Sequence, residues 1–145
     1  MKDILVALEL KPSDKNLLKY ALSLAKVYQA KVWIIHIAAP EPDFVGYEVG
    51  PIYIREQRAD ELRKEHREIQ THMDQFTSEG VDCDALLIAG PTLETLEKEV
   101  KKLKVELLIM GNHRRGFLYD TFIGSTTTQM VKSLNIPLFL VPIDA

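Results

Sequence analysis

Five short apolar runs, separated by stretches of helical periodicity, constrain this chain more than any other feature. They are Ile4–Leu8, Val32–Ile37, Ala85–Ala89, Leu107–Met110 and Leu138–Val141. Four of them are apolar at every position and the second is interrupted only by His36; such a run has no wet face, so the strand it forms is covered on both sides, as in a parallel sheet. Between the first two runs, Leu17, Leu18, Ala21, Leu22, Leu24 and Ala25 recur at helical spacing. That predicts a helix to about Tyr28, with Pro12-Ser13-Asp14 supplying the turn and an N-cap. A longer helix is predicted from Tyr53 to Ser78, with Ala59, Leu62, His66, Ile69, Met73 and Phe76 on one face and Gly80 as its stop. Leu93, Leu96, Val100 and Leu103 mark a third helix, and Met130, Val131 and Leu134 a fourth that ends at Asn135. Strands alternating with helices predict a single α/β domain built on an open five-stranded sheet, with helices on both faces. Ligands of such sheets sit beyond the carboxyl ends of the strands, where the winding reverses. The candidate ends are Leu8-Glu9, Ile37-Ala38, Ala89-Gly90 and Met110-Gly111.

The stretch after the fourth strand carries the strongest functional signal. The run is expected to stop at Gly111; Asn112, His113, Arg114 and Arg115 then form a polar, basic loop, and Gly124-Ser125-Thr126 opens the fourth helix. Thr126 and Gln129 have capping-box spacing. A strand, a glycine-bearing loop and a helix N-terminus present outward N–H groups and a positive dipole end, which together suit phosphate. Gly111 and Gly116 have the glycine spacing of a P-loop, but Phe117-Leu118 stand where it needs Lys and Ser or Thr. No G-x-G-x-x-G is present. The segment Ala38–Pro51, with three prolines and two glycines, is a long loop of the kind kept for function or mobility.

Composition excludes several other classes. A net charge of −3 disfavours non-specific nucleic-acid binding. The lysines at 101, 102 and 104 sit where a helix C-terminus favours positive charge. No apolar run approaches the ~18 residues of a membrane span, and no leader precedes Asp3, so a cytoplasmic protein is expected. The single cysteine, Cys83, lies between Asp82 and Asp84, which oppose thiolate formation. His36, His66, His72 and His113 have no metal-ligand spacing, and His36 and His66 are read as packed rather than functional. No Ser-His-Asp order or carboxylate pair supports hydrolysis.

Gly111, twelve intervening residues and Gly124-Ser125 resemble the Gly-x2-Gly-x9-Gly-Ser/Thr signature of the universal stress protein family. The likeness extends over the whole chain. Asp3 to Glu9 resembles the family's opening strand, Tyr20 to Ala25 its first helix, Ile35-His36-Ile37 its second strand, and Asn135 to Pro142 its close. The resemblance implies a Rossmann-like, adenine nucleotide alpha hydrolase-like fold of strand order 3-2-1-4-5. It implies a crevice for ATP, ADP or AMP formed by Ala7, Glu9, Ile37, Met110, Gly111, His113, Arg114, Arg115, Gly124, Ser125 and Thr126. Any Mg2+ would arrive with the nucleotide phosphates. It also implies a homodimer through Leu138, Phe139, Leu140 and Val141, an apolar edge strand bracketed by Pro137 and Pro142.

Five positions depart from the family pattern. Arg114 replaces the second glycine, Leu10-Lys11 replace Gly-Ser, Ala7 replaces proline, and Glu9 replaces aspartate. Arg114 either obstructs phosphate or holds it through its guanidinium. Three functions follow in order: an adenine-nucleotide-binding stress or regulatory protein, a dimeric interaction module without nucleotide, and a slow ATPase. For the last, Asp120 is the sole candidate to activate water.

Overall fold

Ile4, Val6 and Leu8 turn to one side of the first strand and Leu5 to the other, and all four are buried. This double covering follows from the architecture. The computed structural model describes residues 1–38, 52–113 and 128–143. Strands β1 (Asp3–Leu8), β2 (Lys31–Ala38), β3 (Cys83–Ala89), β4 (Leu107–His113) and β5 (Leu138–Ile143) form one sheet of order β3-β2-β1-β4-β5. Every neighbouring pair is parallel.

Helices α1 (Asp14–Tyr28) and α2 (Ile52–Ser78) cover one face. Leu17, Leu18, Ala21 and Ala25 of α1 and Ile69 and Phe76 of α2 pack there on Ile4, Val6, Val32, Ile34 and Ile109. Helix α3 (Thr92–Leu103) and the helical residues 128–133 cover the other, where Leu96, Val100 and Met130 meet Leu5, Ile35 and Leu108. Fully burying each such aliphatic side chain contributes about 1.5–3 kcal/mol, which fixes the strand register on both faces. Gly80, at φ 81°, ends α2 in the left-handed conformation that glycine adopts without steric cost.

Four local expectations are corrected. Strand β4 does not stop at Gly111: it runs on to His113, because Gly111, Asn112 and His113 pair with Val141, Pro142 and Ile143. His113 therefore belongs to a strand and not to the loop. Strand β5 likewise passes through Pro142 instead of ending there; an edge strand accommodates a residue without an N–H. The buried stripe of α2 runs through Glu65 rather than His66, which is exposed, since Leu62, Glu65, Ile69 and Phe76 are the positions turned inward. Cys83 and Asp84 also belong to β3, ahead of its apolar run. On β5, Val141 is buried, while Leu138, Phe139 and Leu140 are half-buried.

Candidate functional site

The pairing of β1 with β4 runs from Ile4–Leu107 to Val6–Ile109 and ends there, although β1 continues to Leu8 and β4 to His113. Beyond Val6, β1 stays with β2 as far as Leu8–His36, and β4 stays with β5 as far as His113–Ile143. The two halves of the sheet thus part at the point where the strand order reverses, which is where open α/β sheets take their ligands. Ala7, Ile37 and Met110 lie on the same face of the sheet beside this opening. Met110 is buried, and Ala7 and Ile37 are half-buried, so the three present an apolar wall. Glu9 follows directly after β1. Its carboxylate is partly exposed and lies 3.8 Å from Lys11 Nζ.

Asp14 organises the loop that carries Glu9. Its Oδ1 accepts the Glu9 amide at 3.2 Å, and its Oδ2 accepts the amides of Leu10 at 2.7 Å and Lys11 at 3.2 Å. Three successive N–H groups converge on one carboxylate, the arrangement of an anion-binding nest. Leu10 takes φ 60°, a left-handed conformation costing roughly 1–2 kcal/mol in a non-glycine residue. This gives a physical reason for a glycine at that place in the family pattern. Burial pushes the Asp14 carboxyl above its ordinary value, and the three amide bonds, which favour the ionised form, only partly offset this. Ser13, at the N-cap, makes no side-chain capping bond.

Gly111 faces α1. A Cβ built on it would meet Ile143 Cδ1 at 2.6 Å and Leu17 Cδ1 at 3.5 Å, so any larger residue here has to displace the end of the Ile143 side chain, and the packing of β5 against β4 favours glycine. At the end of β2, His36 Nδ1–H donates to the Leu8 carbonyl at 2.8 Å, which fixes the tautomer, and Nε2 lies 3.5 Å from Glu65 Oε2. His36 ties β2 to β1 and is packed, as expected. Cys83 is buried, and its thiol is pushed up to about 12 by burial and by Asp84 and Asp82. Among the described residues, no three His, Cys, Asp or Glu side chains are grouped to hold a metal, and no helix is long and apolar enough to cross a membrane.

The Universal stress protein family model matches residues 1–142. The chain belongs to the universal stress protein family. Its similarity to Universal stress protein A of Yersinia pestis is 25% identity over 98% of this chain and 92% of that protein. A universal stress protein family structure from Burkholderia pseudomallei superposes with a TM-score of 0.74 at 22% identity, covering 97% of this chain and 96% of that one. A universal stress protein family protein from Arabidopsis thaliana with AMP bound gives 0.70 at 18% identity, covering 98% and 92%. The Archaeoglobus fulgidus universal stress protein in complex with dAMP gives 0.67 at 11% identity, covering 99% and 98%.

Of the site residues expected from the universal stress protein signature, Ala7, Glu9, Ile37 and Met110 are brought to the opening between β1 and β4. Gly111 is one residue further along β4 and turned to the opposite face, and the His113 backbone pairs with Ile143. Arg114, Arg115, Asp120, Gly124, Ser125 and Thr126, like the 39–51 loop, lie outside the described residues. Sequence reasoning missed Asp14, which it treated as part of a turn. The available signal was an acidic residue shortly after Leu10, where the family carries a flexible glycine.

Proposed function

We propose that this universal stress protein binds an adenine nucleotide in the opening between β1 and β4 and acts in stress response or regulation as a cytoplasmic homodimer. The observation that carries this reading is the divergence of β1 and β4 after Val6–Ile109 at the sheet's reversal, in a fold whose solved relatives hold AMP and dAMP. In this reading Ala7, Ile37 and Met110 receive the base. Glu9 accepts a hydrogen bond from a ribose hydroxyl or the adenine amino group. Gly111, His113, Arg114, Arg115, Gly124, Ser125 and Thr126 lie around the phosphates of ATP, ADP or AMP, with Mg2+ only as the nucleotide brings it. Arg114 sets the affinity: Arg114→Gly strengthens binding if the side chain obstructs phosphate, and weakens it with a shallower salt dependence if the guanidinium holds phosphate. The dimer forms by antiparallel pairing of β5 with its copy, which satisfies the outer row of backbone groups of an edge strand.

A second reading, a dimeric interaction module without nucleotide, is favoured by two observations. Gly111 is accounted for by Ile143, and the amides of the β1–α1 loop are already bonded to Asp14. Mass spectrometry of small molecules released from the denatured, freshly purified protein separates the two. AMP, ADP or ATP in amounts comparable to the protein supports the first reading. Nucleotide-free protein that also takes up none when it is added supports the second.

A further inference from the structure

A second concavity lies away from the crevice, between α1 and the C-terminal half of α2, with a volume of about 630 Å³. That is within the range of small-molecule sites. Its walls are mixed. Leu18, Leu22 and Phe76 line it with apolar surface, and Lys15 and Lys19 line it with positive charge. Lys15 and Lys19 stand one helical turn apart on α1 and repel each other. Neither makes an ion pair among the described residues. Two carboxyl groups also line the groove, and neither pairs with these lysines: Asp14 accepts three loop amides, and Glu79 lies 2.5 Å from Lys26 Nζ. His72 also lines this groove, and its Nδ1 is buried without a protein hydrogen-bond partner. A buried polar nitrogen in that condition is stabilised by any acceptor or donor delivered to it.

We infer that the groove between α1 and α2 binds a small organic anion with an apolar body. The apolar portion lies on Leu18, Leu22 and Phe76, and the anionic head is held by Lys15 and Lys19 beside His72. The site is independent of the nucleotide reading. It sits at the start of α1, and Lys11 and Asp14 of the clamp on the Glu9 loop are themselves among its lining residues.

Calorimetric titration with octanoate, and with 1-octanol as an uncharged counterpart, tests the inference. Octanoate is expected to bind about tenfold more tightly than 1-octanol, the difference that two partly exposed charge contacts supply. The Lys15→Glu/Lys19→Glu variant should lose that advantage and keep its affinity for 1-octanol; Lys15→Gln/Lys19→Gln serves the same purpose without reversing charge. In nitrogen-15 NMR of the wild type, octanoate should move the His72 imidazole signal and the amides of Leu18, Leu22 and Phe76, and excess AMP should not displace it. Equal binding of octanoate and octanol, or no binding, overturns the inference. So does displacement of octanoate by AMP, or an unmoved His72 with octanoate bound elsewhere.

Discussion

Asp14 accepts the Leu10 amide at 2.7 Å and thereby holds a leucine at φ 60° at the mouth of the candidate crevice. Two neighbouring amides converge on the same carboxylate, so one buried side chain sets the path of the chain from β1 to α1. Asp14→Ala leaves these donors without their partner and is expected to cost about 1–3 kcal/mol in urea unfolding. Asp14→Asn, which keeps an acceptor, should cost less.

The pH dependence of that contribution has a definite sign. Burial raises the folded-state value of Asp14, so between the ordinary carboxylate value and the raised one the native state holds more protons than the unfolded state. The contribution of Asp14 is therefore fully present below the ordinary value and lost as pH rises through the folded one. Unfolding free energies of wild type and Asp14→Asn, measured across that window, should show the difference falling as pH increases. A difference that grows with pH contradicts the assignment.

Gly111 and Ile143 form a second coupled pair, with only 2.6 Å between a prospective Cβ and Ile143 Cδ1. Gly111→Ala is expected to destabilise by about 1–3 kcal/mol through overpacking. Ile143→Val removes Cδ1 at a cost of about 0.5–1.5 kcal/mol on its own. The double variant should be more stable than Gly111→Ala alone, a positive coupling that a double-mutant cycle measures. Additive losses would show that the close approach is not what favours glycine.

The β5 edge makes its own prediction. Leu138, Phe139 and Leu140 are half-buried in one copy, and Phe139 meets Tyr20 of α1 with ring centroids 5.5 Å apart. Light scattering should give twice the 16.5 kDa chain mass. Leu140→Asp should shift the protein toward monomer or insoluble material. A wild type that stays monomeric at high concentration rules out the β5 dimer.

The parallel sheet was legible in the sequence because five short apolar runs leave few alternatives to it, whereas its order and the place of the reversal came with the resemblance to the universal stress protein family. The extension of β4 was not, since Gly111-Asn112-His113 has weak strand propensity and is carried by pairing with Val141-Pro142-Ile143. The inward position of Glu65 and the exposure of His66 depend on how α2 rolls over β2 and β3, which periodicity fixes only to within about one residue. Asp14 escaped notice because its side chain points back to residues that precede it, outside the usual capping geometry. Ile37 and Met110 were legible as strand ends because a strand's carboxyl end follows directly from where its apolar run stops, whereas Ala7 came with the family resemblance.

The most direct test of the central claim is isothermal titration calorimetry of AMP and ATP into nucleotide-free wild type and Glu9→Ala. Saturable binding is expected for the wild type. Glu9→Ala should weaken it by about 1.5–3 kcal/mol, roughly 10- to 150-fold, the value of a hydrogen bond to a charged acceptor. The absence of both heat and thermal stabilisation at millimolar AMP or ATP would contradict the claim and leave the dimeric interaction module as the reading of this protein.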